Sequence, residues 1–304
     1  YDEIFSNLLI LMKARKIVKI KKKERKYFEK GIEQIILNNF PYKLTEGQNE
    51  ILKELDRDVE SKFRMFRLIQ GDVGSGKTIL ALILAAKVCK SKYQVAYMAP
   101  TEILSKQQYE LAKKLYRDTG VNIEHLTGKS FNKNMIRENI SSGKTDFIIG
   151  THSLFQKKIK FNNLGLIIID EQHKFGVKQR MLLAKKGGAN CDVLLMSATP
   201  IPRTMMMSIF GDMDISKLTE KPHDRKKIIT LAKPEKKINE VIPLLKKQIG
   251  KKKQIFWICP LIDESNKLKY SSAINKYNFV KKIFPNQVGL IHGKLNEKEK
   301  ALVV

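Results

Sequence analysis

Acidic side chains are what this sequence most conspicuously lacks. Its 304 residues carry 31 Asp and Glu against 58 Lys and Arg, a formal charge of +27. A surplus of that size calls for a polyanionic partner, nucleic acid first and an anionic membrane surface second. Codon bias in an A/T-rich genome could inflate lysine, but it should enrich glutamate as well, and here acidic residues are far fewer than basic ones. Cysteine is scarce as well. Cys89, Cys191 and Cys259 lie far apart inside apolar stretches, which excludes a disulfide framework and a clustered metal site and reads as three small buried hydrophobes. No apolar run approaches the length of a membrane span. The chain opens on Tyr1 without a signal-peptide pattern, so it reads as a piece of a longer cytoplasmic protein. The apolar fraction of 42% argues against disorder, and the length suffices for two domains with sizeable cores.

Glycine, otherwise ordinary in amount, concentrates where it matters. Gly71-Asp72-Val73-Gly74-Ser75-Gly76-Lys77-Thr78 follows an apolar run, Phe66 to Ile69, and opens into a segment of strong helix formers. A glycine turn between strand and helix leaves backbone N–H groups unpaired at a helix N-terminus, where the macrodipole also favours anions. Lys77 can reach β- and γ-phosphates, and the Thr78 hydroxyl can ligate Mg²⁺. The full spacing G-x-x-x-x-G-K-T therefore predicts ATP binding.

The rest of the chain is arranged about that loop. Residues 2–37 read as helical, with an intensely basic stretch from Lys13 to Lys26 suited to a solvated face or to phosphates. Thr45 and Gln48 fit a helix capping box. Gln48 also has the donor and acceptor to read an adenine edge, with Phe40 or Tyr42 available to stack on the ring. Apolar runs at 94–99, 122–126, 147–149, 166–169 and 193–196 alternate with helical or turn segments, the pattern of a parallel sheet covered by helices. Asp170 and Glu171 end one such strand. Asp170 is placed to hold Mg²⁺, and Glu171 to orient and deprotonate an attacking water. Ser197-Ala198-Thr199, followed by two prolines, forms a third polar loop past a strand end. A linker is expected across 211–225, then a second α/β pattern with strands at 227–232, 254–259 and 288–291 and helices at 234–249 and 271–284.

These stretches, with Ala99-Pro-Thr101-Glu102-Ile-Leu104, Gly150-Thr151-His152-Ser-Leu154, Asp170-Glu171-Gln172-His173 and the run through Arg203-Thr204, resemble the ordered motifs of superfamily 2 helicases. More narrowly they are similar to the RecG family, the ATP-dependent branched-DNA helicases of bacteria. The resemblance covers nearly everything from Phe40 onward. It implies a RecA-like P-loop NTPase domain over 39–220, preceded by a basic helical segment over 1–38 that links to something upstream. An incomplete second RecA-like domain would follow over 221–304. It implies nucleotide contacts from Phe40, Gln48 and residues 71–78, hydrolysis by Lys77, Asp170, Glu171 and His173, and Mg²⁺ held by Thr78 and Asp170. Gln172, His173, Ser197, Ala198 and Thr199 would relay nucleotide state. Thr101, Glu102, Gly150, Thr151 and His152, with His292 and Gly293 of the second domain, would follow a DNA backbone. The implied partner is branched or duplex DNA, with no membrane, for a monomeric motor at the bacterial nucleoid.

Ser153, Lys174 and Ser197 depart mildly from the family's usual alanine, arginine and threonine. The family's γ-phosphate arginine and its junction-engaging wedge fall outside these 304 residues, so the chain by itself is expected to bind nucleotide and hydrolyse it poorly. Rival expectations are a transcription-repair coupling translocase, disfavoured by Gln172 where that family carries glutamate, an RNA helicase, and a non-catalytic clamp, disfavoured by the presence of Glu171.

Overall fold

A computed structural model describes residues 22–128, 130, 132–156, 158–171, 188, 190–199, 213–220, 228–234, 237–261, 272–295, 299 and 302–303. The chain divides into two compact units, 1–226 and 227–304.

The first unit is built on a parallel sheet. Its strands are β1 (Phe66–Gly71), β2 (Gln94–Met98), β3 (Ile123–Leu126), β4 (Phe147–Gly150), β5 (Leu164–Ile169), β6 (Asp192–Ser197) and β7 (Asp214–Leu218). They lie in the order β3-β4-β2-β5-β6-β1-β7, and all six pairings are parallel. The helices are α1 (Ile32–Asn38), α2 (Glu46–Glu60), α3 (Lys77–Lys90), α4 (Glu102–Leu115) and α5 (Lys133–Ser141). Alternate residues of each inner strand feed two separate cores. Val95, Tyr97, Ile149, Ile168 and Leu194 pack with α1, α2 and α3. Ala96, Met98, Ile148, Ile167 and Leu195 pack with Ile136 and Ile140 of α5 on the other face. Burial on both faces is why these strands are apolar throughout rather than alternating. Helix α3 is buried nearly all round, from Ile79 to Cys89, which fixes the axis on which the glycine loop sits.

Two sequence expectations need correction here. Within 211–225, read as a linker, Asp214–Leu218 forms the edge strand β7 against β1. Its Ser216 donates to Glu54 of α2 and accepts from Arg67 of β1, so a strand only half apolar is held by polar bonds. The basic N-terminal stretch, expected to be helical and solvated or on phosphates, is irregular from Lys22 to Lys30. There Lys23 and Lys26 are buried, and both reach the Asp192 carboxylate at 2.7 and 2.8 Å. Asp192 also accepts from the Met65 N–H. A buried carboxylate at the foot of β6 needs cations, and the chain supplies them from this segment. Among the described residues the helix spans Ile32–Asn38, with Ile32 and Ile36 in the core, and the part of the expected helix over 2–21 lies outside the described residues.

The second unit contains α6 (Ile238–Gly250) and α7 (Ala273–Ile283), the latter capped by Ser272. The strands expected at 227–232, 254–259 and 288–291 are not formed among the described residues. Ile229, Phe256 and Ile258 are instead exposed, because a strand without a neighbour to take its backbone bonds does not persist. Cys259 accordingly is only half-buried, whereas Cys89 and Cys191 are buried as expected. Among the described residues, no helix is long and apolar enough to cross a membrane.

Burial holds Lys23 down to about 8, against the upward pull of Asp192. The unfolded lysine titrates near 10.5, so the folded state gives up its proton first and stability rises as pH climbs from about 8. Lys23→Met should remove that rise. Urea unfolding should show wild type gaining about 2 kcal/mol more than the variant between pH 7.5 and 9.5, and parallel pH profiles would contradict the assignment.

Candidate functional site

The carboxyl ends of β5, β6 and β1 are neighbours in the sheet, and each ends in one of the polar loops singled out above. Adjacent strands lie about 4.8 Å apart, so the tips of β5 and β1 are separated by about 10 Å, a gap that a lysine side chain facing a carboxylate narrows.

The glycine loop turns through left-handed backbone at Gly74 and Gly76, with φ +79° and +89°. A side chain at Gly76 would also strike the Gln48 amide. Gln48 is placed by the capping box: its Oε1 accepts from the Thr45 N–H at 2.9 Å while Thr45 Oγ1 accepts from the Gln48 N–H at 3.3 Å. The Gln48 amide then donates to the Ser75 carbonyl at 2.8 Å. Thus the cap and the loop are one hydrogen-bonded unit, and Gln48 is engaged with the loop backbone. Phe40 packs edge-on against Tyr42 at 5.6 Å and leans on the first core, leaving Tyr42 exposed.

Lys77 is buried, and its ammonium donates to the carbonyls of Gly71 and Asp72 at 2.5 and 2.9 Å. Desolvation pushes its pKa down, while Glu171, Asp170 and Asp72 pull it up. Asp170 has the opposite problem. Burial and then Glu171 raise its pKa, opposed by hydrogen bonds from Tyr97 and the Glu171 backbone and by Lys77. Both charges sit in a low-dielectric site that favours neither, each partly relieved by the other. The Ser75 hydroxyl is buried without a hydrogen-bond partner.

Glu171 adopts a left-handed backbone, φ +47°, an uncommon conformation for a residue with a side chain. Its carboxylate accepts from the Ala198 N–H at 3.5 Å. Ser197 and Thr199 hydroxyls meet at 3.0 Å, and Gln70 at the end of β1 donates to the Thr199 carbonyl. All three loops therefore touch: β5 to β6 through Glu171, and β6 to β1 through Gln70. Gln172 and His173 lie outside the described residues.

The adjoining strand tips, β2 and β4, carry the other expected cluster. Thr101 caps α4 by accepting from the Leu104 N–H, with Glu102 in the first turn. Gly150 closes β4, where any side chain would meet the Leu126 carbonyl and the Leu154 side chain. The Ala99 N–H bonds to the Gly150 carbonyl at 2.9 Å, which ties the two tips together. Thr151 is buried with an unpartnered hydroxyl, and His152 is exposed. Hence one sheet edge carries the two clusters side by side. His292 and Gly293 belong to the second unit, where the His292 Nδ1 is buried without a partner.

Sequence reasoning missed Tyr97. It lies inside an apolar strand, where an aromatic reads as core, yet its hydroxyl donates to Asp170 Oδ2 at 3.3 Å. Only the offset from Ala99-Pro-Thr101 toward the sheet interior could have hinted at it.

The DEAD/DEAH box helicase family profile matches residues 45–208. ATP-dependent DNA helicase RecG of Aquifex aeolicus is 44% identical, covering 100% of this chain and 39% of that protein. The RecG of Thermotoga maritima is 38% identical over the same shares. A solved structure of RecG bound to a three-way DNA junction superposes with a TM-score of 0.79 at 33% identity, covering 99% of this chain and 40% of that one. Mss116p bound to ssRNA and AMP-PNP, at 17% identity and a TM-score of 0.63, covers 92% of this chain and 64% of that one and shares the fold alone. The chain spans about two fifths of the length of these RecG relatives.

Gly76→Ala should weaken nucleotide binding at least about tenfold, because the residue must hold a left-handed backbone and displace Gln48. Titration with a fluorescent ATP analogue reads this directly, and unchanged affinity would refute the loop geometry as the determinant.

Proposed function

We propose, for a chain that belongs to the DEAD/DEAH box helicase family, that it is the motor region of a RecG-type helicase that spends ATP to unwind and remodel branched DNA. The observation that carries the motor reading is the joining of three loops at neighbouring strand tips: Glu171 past β5 accepts from the Ala198 N–H past β6, and Gln70 of β1, beside the loop that holds Lys77, donates to the Thr199 carbonyl. The RecG relatives at 38–44% identity favour DNA over RNA as the track, as does the net charge of +27.

The residues present fit a magnesium nucleotide. An unpartnered buried Ser75 hydroxyl, a lysine whose ammonium donates to loop carbonyls and left-handed glycines make a cradle for an anion at the N-terminus of α3. In this reading Lys77 exchanges the carbonyls of Gly71 and Asp72 for β- and γ-phosphate oxygens. Thr78 and Asp170 hold Mg²⁺, which when bound neutralises charge on the phosphates. Glu171 takes the proton of the attacking water, and its bond to Ala198 links that event to the Ser197–Thr199 loop. Residues Phe40 and Gln48 border the base. Thr101, Glu102, Gly150, Thr151 and His152 grip the DNA backbone beside the nucleotide, with His292 and Gly293 serving the second unit. Gln172 and His173 complete the relay. The setting is the bacterial cytoplasm, and the motor acts as a monomer.

In the full-length protein, Glu171→Gln should leave ATP bound and lower single-turnover hydrolysis by about a hundredfold or more, the range for losing a general base. Normal hydrolysis would remove Glu171 as the base. Stimulation of ATPase by a three-way DNA junction, and not by single-stranded RNA, is the expected partner profile. RNA stimulation without DNA stimulation would overturn the DNA assignment.

A further inference from the structure

We infer that Tyr97 is a positioning residue for Asp170, the carboxylate expected on the metal, a role that rests on the nucleotide reading above. Its side chain is fully buried in the middle of the sheet, on strand β2, which neither the phosphate loop nor the acidic strand tip belongs to. Burying a phenol there requires a partner for its hydroxyl, and the one it finds is functional. It donates to Asp170 Oδ2 at 3.3 Å. A hydroxyl fixed on a third strand thus holds the carboxylate expected on Mg²⁺.

The ring cannot swing away. It packs edge-on against Phe147 of β4 at 6.4 Å, and Phe147 is itself stacked on Tyr116 at 5.6 Å. Tyr116 is anchored in turn by its hydroxyl on the Leu82 carbonyl of α3. This aromatic column runs from β2 through β4 to the helix that begins at the phosphate loop, so the hydroxyl's position is set by core packing. The bond to Asp170 is long for O–H···O, leaving room for it to shorten as the carboxylate engages a cation. Mg²⁺ demands near-ideal octahedral geometry. A fixed hydroxyl that orients the carboxylate ligand serves that demand without itself touching the ion, as outer partners of metal ligands do.

Tyr97→Phe keeps the ring and deletes only the hydroxyl. On the 304-residue chain, Mn²⁺ affinity in the presence of an ATP analogue, read by electron paramagnetic resonance, should fall about tenfold. Affinity for the analogue in EDTA should be unchanged, and metal occupancy lost at low Mn²⁺ should return at high Mn²⁺. Tyr97→Leu, which also breaks the aromatic column, should lower the melting temperature further than Tyr97→Phe. Wild-type Mn²⁺ affinity in Tyr97→Phe would overturn the inference, as would equal losses with and without metal, the signature of packing alone. A wild-type chain with no metal-dependent nucleotide binding would remove the nucleotide reading itself, a failure distinct from that of Tyr97.

Discussion

A buried ammonium and a buried carboxylate that face one another across a strand constrain everything else in the first unit. Lys77 loses solvation on loop carbonyls, and Asp170 loses it at the end of an all-apolar strand. Neither is fully satisfied by protein. Such sites are costly to hold open, because groups deprived of water are stable only when the surrounding packing leaves them no alternative. The cost is offset when an anion meets the lysine and a cation meets the carboxylate, which is what a metal–triphosphate group offers.

The fold supplies the required rigidity from beneath. Helix α3 is buried nearly all round and cannot rotate without exposing apolar surface. Two ion clusters clamp the far side of the sheet. Arg67 pairs with Glu54 and Asp58, and Lys87 with Glu33 and Asp56, tying α1, α2, α3 and β1 together. The third cluster, two lysines on Asp192, pins the foot of β6, whose tip carries Ser197–Thr199. Strand β6 is therefore fixed at its start by charge and at its end by Glu171 and Gln70. The Ala198 N–H that follows β6 donates to Glu171 at 3.5 Å.

Much of this was legible beforehand where local chemistry decides. The apolar runs became strands because both faces are buried, and Thr45 capped its helix because its side chain satisfies the N–H group three residues on. What could not be read depends on distant partners. Lys23 and Lys26 looked like solvated charge because Asp192, 169 and 166 residues away, is invisible to a local window. Strand β7 was hidden by its polar residues, which are paid back through Ser216, Arg67 and Glu54. Tyr97 looked like core because it is core, and only the third dimension shows where its hydroxyl ends. The second unit's apolar runs met the strand pattern but not the neighbours that a strand requires.

The most direct test is a crystal structure of the chain with Mn²⁺ and a non-hydrolysable ATP analogue, the ion located by its anomalous scattering. The account predicts one Mn²⁺ between Thr78 and Asp170, with Lys77 moved from the Gly71 and Asp72 carbonyls onto the phosphates. Anomalous signal away from both residues, or a nucleotide seated where Lys77 cannot touch it, would contradict it.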